Sequence, residues 1–310
     1  ALADKRAHWL TRCRLLSLQP MNRITISTPA GPVSALQAAG SSRGKPLHFA
    51  HATGMNAQLY ARMLAPLADD FAITASDARG HGFTGLPKDP AALTSWDEFA
   101  ADLDMLLGVI DGDARWILAG HSMGAAVSLL AAALRPDRVA GLVMVDPAML
   151  PFEVSALVRA GQAIPNPMAD QAAKRRGLFP SRADARAAYH GRGVFRTWMD
   201  EDLDAYLAGG LVESAEGLEL ACAPAFESAT FRAVSPHVEA ALHSLTCPFI
   251  LIAGEHGSTV QTGELAAFAA HPACLGATRI AGTTHFVPLE RPDLVRDAIA
   301  QVSSAAASGR

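Results

Sequence analysis

The sequence predicts an α/β fold: a doubly wound, mostly parallel sheet with a helical segment inserted between two of its strands. Three observations carry this reading. Short apolar runs alternate with longer helical patterns from about residue 23 to residue 146, and the alternation resumes near residue 247. Between them lies a stretch of helical patterns in which no strand is recognisable. Strands separated by helices pair in parallel, and a parallel sheet must be covered on both faces.

The elements follow in order. Arg23–Thr28 and Val33–Ala38 flank the turn-like Pro29-Ala30-Gly31-Pro32 and read as a hairpin. Further strands are expected at Leu47–Ala50, Ala72–Ser76, Trp116–Ala119, Gly141–Val145, Phe249–Ala253 and Ala277–Ile280. Helical periodicity marks Asn56–Asp69, Ser95–Ile110, Met123–Leu134, Gly263–Ala270 and Pro292–Ser303. Residues 147–246 are expected to form a helical cap, with helices at Phe152–Ala163, Arg182–His190, Asp202–Leu211 and Ala225–Val234. The core is then 22–146 with 247–303. Residues 1–21 read as an N-terminal extension, and the small polar tail 303–310 as a frayed end.

Composition narrows the function classes. The chain has 310 residues, half of them hydrophobic and 18% charged, which is a globular balance. Lys and Arg total 26 against 30 Asp and Glu, a net charge of −4 with no basic stripe, so no nucleic-acid partner is expected. No apolar run reaches the ~18 residues of a membrane span. Arg12 and Arg14 interrupt what would be the apolar core of a signal peptide. Cys13, Cys222, Cys247 and Cys274 lie far apart and read as free thiols, the state of a reducing, cytoplasmic compartment. The histidines lack the paired spacing of metal ligands, and neither metal nor organic cofactor is expected.

The sharpest motif is Gly120-His121-Ser122-Met123-Gly124, between the apolar Trp116–Ala119 and a helical pattern. In that context G-x-S-x-G describes a strand, a sharp turn and a helix, with the serine strained at the turn and glycines two positions either side giving it room. A serine hydroxyl is not ionised near neutrality and needs a base. His285, in Gly282-Thr283-Thr284-His285 after the last strand, has the best claim among the histidines because its loop can reach back over the sheet edge. His121 is read as packing, turned away from the site.

Together, His51-Ala52-Thr53-Gly54, Asp77–Gly82, Gly120–Gly124 and Gly282–His285 resemble the motif blocks of the α/β-hydrolase fold, over roughly residues 22–303. The resemblance implies an eight-stranded sheet with nucleophile, acid and base at its C-terminal edge, and acyl transfer through an acyl-serine. It also implies an oxyanion hole from the backbone N–H groups of Met123 and Thr53. Asp77–Gly82 is read as a structural turn. The acid departs from the commonest pattern, since Gly257 occupies its usual slot in Gly254-Glu255-His256-Gly257. Two candidates remain: Asp146, at the end of the strand Gly141–Val145, which needs no altered turn and is preferred, and Glu255, near the usual slot but out of register.

A serine at the elbow points to esters, lactones or thioesters rather than to the aspartate chemistry of dehalogenase and epoxide-hydrolase relatives. The expected function is hydrolysis of a small ester or lactone. The alternatives are a carbon–carbon hydrolase of the β-diketone type and a non-catalytic ligand receptor of the same fold. Phe152, Leu157, Trp198, Met199, Tyr206, Phe226 and Phe231 give the cap an apolar character suited to covering such a substrate. Lys174-Arg175-Arg176 reads as a solvated face. The oligomeric state is not legible.

Overall fold

The computed structural model describes residues 20–38 and 44–309; the expected extension over 1–21 falls almost wholly outside them. Among the described residues the first six strands are β1 (Met21–Thr28), β2 (Gly31–Ala38), β3 (Lys45–Ala50), β4 (Phe71–Ser76), β5 (Trp116–His121) and β6 (Val139–Val145). Three short strands follow, β7 (Leu178–Phe179), β8 (Leu211–Ser214) and β9 (Gly217–Leu220), and then β10 (Phe249–His256) and β11 (Cys274–Thr284). Eight of these build one sheet in the order β1-β2-β4-β3-β5-β6-β10-β11. β2 is antiparallel to β1 and β4, and the pairs from β4 to β11 are parallel. This is the α/β-hydrolase architecture, with all eight expected strands present and each of them longer than expected.

Strand periodicity decides which side chains meet which layer. In β5, Ile117 and Ala119 join one apolar cluster while Trp116 and Leu118 join the other. β6 divides likewise, Val143 and Val145 against Leu142 and Met144. Successive side chains of a strand point to opposite faces, so each central strand must be apolar throughout. One face is covered by residues 57–67 and by the helix Pro292–Ala307, whose Val295, Ile299 and Val302 are fully buried. The other is covered by Asp97–Ile110, Met123–Leu134, Val238–Ser244 and Thr262–Ala270.

Three local expectations need correction. Asn56–Asp69 is broken into a 3₁₀ turn, a single α-helical turn and a second 3₁₀ turn, with Pro66 in the last piece. Proline lacks the N–H that a continuous helix would need there. The tail does not fray at Ser303: helix continues to Ala307 through alanines, the strongest helix formers. The segment between β6 and β10 is not purely helical, because β7, β9 and β8 form a small antiparallel sheet beside its helices. Strands of two to four residues are too short for alternation to be visible in sequence. The last helix of that segment, Val238–Ser244, returns to the main sheet and packs on Met123–Leu134.

The strand order fixes where a site can form. From β3 the chain moves outward to β4, then crosses back to β5 on the other side of β3. Loops leaving β3 and β5 diverge over the two faces and leave a crevice at their C-terminal ends, the usual ligand position in open α/β sheets. Ala50 and Gly120 are register partners at that edge, so Thr53 and Ser122 follow from neighbouring strand ends.

Cys222, Cys247 and Cys274 are free thiols. No helix among the described residues is long and apolar enough to cross a membrane. Leu118 lies in the middle of β5 with no exposed surface, whereas Leu275 on the edge strand is 38% exposed. Truncating a buried leucine costs its transfer free energy plus that of the cavity left behind, about 3 kcal/mol. Leu118→Ala should therefore lower the urea midpoint markedly with an unchanged slope, while Leu275→Ala should barely move it.

Candidate active site

Ser122 sits between β5 and the helix Met123–Leu134 with φ 55° and ψ −119°, a conformation that strains a residue bearing a Cβ. The turn is held from both sides. Ser122 N–H donates to Val145 O at 3.0 Å, and its carbonyl accepts from Ala125, Ala126 and Ala148. The flanking glycines are a steric requirement. A Cβ on Gly120 would overlap the backbone of Gly124, and one on Gly124 would overlap the carbonyls of Ala50 and His51. The helix can start this close to β3 only because both positions lack a side chain.

Asp146 ends β6 with φ 43° and is fully buried. Its Oδ2 accepts from Gly254 N–H at 2.7 Å, and its Oδ1 accepts from the Thr259 N–H and hydroxyl, both at 2.9 Å, and from the Ser258 hydroxyl at 3.1 Å. His285 Nδ1 lies 3.1 Å from the same Oδ1, although the ring N–H is not aligned for a good hydrogen bond. Such contacts commonly tighten once substrate is bound. Burial alone would raise the Asp146 carboxyl; the His285 contact and the Gly254 and Thr259 N–H groups outweigh it and hold the carboxyl below the ordinary carboxylate range.

Glu255 sits elsewhere. Its side chain is 43% exposed, accepts from Gly282 N–H at 2.7 Å and stands 3.4 Å from His256. His285 itself follows β11 in a loop fixed from behind by Glu290, whose carboxylate accepts from the Thr284 N–H at 2.7 Å and the Thr284 hydroxyl at 2.6 Å.

The loop after β3 carries Thr53, and it is held by two histidines and a tyrosine. Gly54 N–H donates to His81 Nε2 at 3.0 Å, Ala78 N–H donates to His51 Nε2 at 2.9 Å, and Ala52 N–H donates to the Tyr60 hydroxyl at 3.3 Å. Burial pushes His81 down to about 3, so its ring is neutral and its Nε2 is free to accept. Asp77 completes the bracket, accepting from Ala57 N–H and Phe83 N–H and pairing with Arg23 at 2.6 Å. The Asp77–Gly82 turn thus positions the β3 loop. Sequence reasoning did not assign these supports, because a buried neutral histidine has no spacing signature. The backbone N–H groups of Thr53 and Met123 have no acceptor among the described residues.

The inserted segment approaches this loop. Glu227 packs against Gly54 and pairs with Arg175 at 2.6 Å, and Arg175 also donates to the hydroxyls of Tyr189 and Tyr206. Arg175, expected on a solvated face, is instead drawn into this polar cluster. Trp198 stacks edge-on against Phe286, the neighbour of His285, at 5.1 Å. A cavity of about 40 Å³ is bounded by His48, Ser76, Asp77, Met123 and Val127, and Ser122, His285 and Asp146 do not line it. Among the described residues no group of three or more His, Cys, Asp or Glu stands together as a metal site.

The chain belongs to the alpha/beta hydrolase family, whose profile matches residues 49–298. It is 27% identical over 261 residues to 2-(acetamidomethylene)succinate hydrolase of Mesorhizobium japonicum, covering 81% of this chain and 85% of that protein. A putative non-heme haloperoxidase of Mycobacterium phage D29 is 39% identical over 106 residues, only 34% of this chain and 37% of the relative. Among solved structures, E-2-(acetamidomethylene)succinate hydrolase superposes with a TM-score of 0.73 at 22% identity, over 92% of this chain and all of that one. A thermophilic esterase from Thermogutta terrifontis gives 0.63 at 21% identity, over 92% and 99% of the two chains. At these identities the structural likeness establishes the fold.

A carboxyl depressed by folding stabilises the protein above its ordinary pKa of about 4, and that contribution is lost as pH falls through the depressed value. Asp146→Asn should therefore be less stable than wild type at pH 7 in urea melts. The difference should shrink as pH drops below about 4.

Proposed function

We propose that this chain is a serine hydrolase of carboxylic esters or lactones, with Ser122 as nucleophile, His285 as base and Asp146 as acid. The observation that carries the reading is the buried, ionised Asp146 at 3.1 Å from His285 Nδ1, beside a serine held at positive φ. In this reading Ser122 Oγ attacks the carbonyl carbon while its proton passes to His285 Nε2. Asp146 holds Nδ1–H and offsets the imidazolium charge. The tetrahedral oxyanion accepts from the N–H groups of Met123 and Thr53, donors commonly worth about 3 kcal/mol each in the barrier. Collapse breaks the C–O bond, and His285 protonates the departing alkoxide. Water then gives a proton to His285 and attacks the acyl carbon; collapse breaks the bond to Ser122 Oγ, which takes the proton back from His285 as the acid leaves.

Residues 147–246 serve as the cap in this reading, with Trp198 and Phe226 among the apolar groups that exclude water. The Mesorhizobium relative is named for a succinate derivative, which favours a second substrate class, a dicarboxylate. Against that class, Arg175 beside the Thr53 loop is committed to Glu227, so the substrate favoured here is uncharged.

The test begins with intact-mass analysis after exposure to a fluorophosphonate. Wild type should take one adduct and Ser122→Ala none; an unmodified wild type would overturn the nucleophile. On p-nitrophenyl esters and a γ-lactone, Asp146→Asn should lose roughly 10³–10⁴-fold in kcat, with Glu255→Ala near wild type. The reverse order would make Glu255 the acid. Faster turnover of a succinate monoester than of a matched neutral ester would favour the dicarboxylate class.

A further inference from the structure

His121 immediately precedes Ser122, is fully buried and has no role in the steps above. Its ring lies 4.8 Å from that of His285 and 5.6 Å from that of Phe286, centre to centre. Both ring nitrogens are engaged. Nε2 is 2.8 Å from the backbone carbonyl of His285, and Nδ1 is 2.8 Å from the Tyr60 hydroxyl.

The direction of every bond in this group follows from donor chemistry. A carbonyl oxygen can only accept, so His121 Nε2 must carry a proton and donate it to His285 O. Burial and the neighbouring His285 push the His121 ring down to about 3, so it stays neutral and Nδ1 is left as an acceptor. The Tyr60 hydroxyl, which burial keeps protonated, therefore donates to Nδ1. Its oxygen accepts in turn from Ala52 N–H, one residue before Thr53. The chain runs one way, from Ala52 N–H to Tyr60 to His121 to His285 O. Expected to be mere packing, His121 instead joins the two loops that flank Ser122.

We propose that His121 is a positioning residue whose single tautomer ties the His285 backbone to Tyr60 and so to the Thr53 loop, setting base and oxyanion donors with one hydrogen-bonded chain. The inference rests on the Ser122–His285 reading for its effect on turnover, but the coupling between the loops exists whatever reaction the site performs. A chain of this kind acts on geometry. Its loss misplaces His285 relative to Ser122 and leaves the apolar substrate contacts alone, so kcat falls while KM stays near wild type.

Three variants separate the parts. His121→Met keeps an elongated side chain of suitable volume and removes both bonds; His121→Gln restores an N–H that reaches the His285 carbonyl; Tyr60→Phe removes only the hydroxyl. The expected pattern on a p-nitrophenyl ester is a loss in kcat of tenfold or more for His121→Met, substantial recovery for His121→Gln and a loss of several-fold for Tyr60→Phe, with KM within twofold throughout. In ¹⁵N-imidazole spectra of the full chain, His121 should be protonated at Nε2 and not at Nδ1. The His285 ring signals should move in His121→Met and return toward wild type in His121→Gln.

Unchanged kcat and unchanged His285 signals in both His121→Met and Tyr60→Phe would overturn the proposal, as would an Nδ1-protonated His121. Should His121→Met fail to fold, Tyr60→Phe and the tautomer of the wild-type ring still decide it. A wild type that takes no fluorophosphonate at Ser122 while its His285 signals respond as described would sink the reaction and leave the coupling standing.

Discussion

The close approach of the helix Met123–Leu134 to the ends of β3 and β5 is the constraint on which the rest depends. Gly120 and Gly124 leave no Cβ in the gap, so the backbone of the helix start can lie against Ala50 and His51. Ser122, between these two glycines, is held at positive φ. The strain is sustained because the turn is over-determined: Val145 accepts from Ser122 N–H, and three N–H groups converge on its carbonyl. A looser junction would let the serine relax into the helix.

Around that junction the molecule uses polar groups where a loop usually relies on packing. His51 and His81 receive backbone N–H groups of the turns at 78 and 54, Tyr60 receives Ala52, and Asp77 gathers Ala57, Phe83 and Arg23. Buried donors and acceptors are costly unless paired, so each partner narrows the conformations open to the loop. The same logic governs Asp146. Four donors converge on its carboxylate, and they fix its orientation as well as its charge.

The parts legible in the sequence are those that physics writes into local pattern. β5 and β6 read as strands because they are apolar on both faces, and Ser122 was visible because the elbow needs glycines at fixed spacing. His285 and Asp146 were legible as strand-end residues on the right edge. Less could be read where partners are distant in the chain. β8 and β9 are too short to alternate, and Pro66 divided a helix that periodicity alone would have run through. The connection from His121 to His285 spans 164 positions, and nothing in the glycine spacing announces it. Arg175 looked like part of a basic run; its partners Glu227, Tyr189 and Tyr206 come together only in three dimensions.

The two halves of the site hang from very different parts of the sheet. Ser122 leaves β5, flanked by β3 and β6 and covered on both faces, whereas His285 leaves β11, which borders the sheet and is half-exposed along its length. Amides of an interior strand open only with global unfolding, while an edge and its trailing loop open in smaller, cheaper units. Ser122 therefore rests on the better-buried support and His285 on the more exposed one. Softness is unequal between the two supports, and the bond from His121, at the end of β5, to the His285 carbonyl is what moors the softer one to the interior of the sheet.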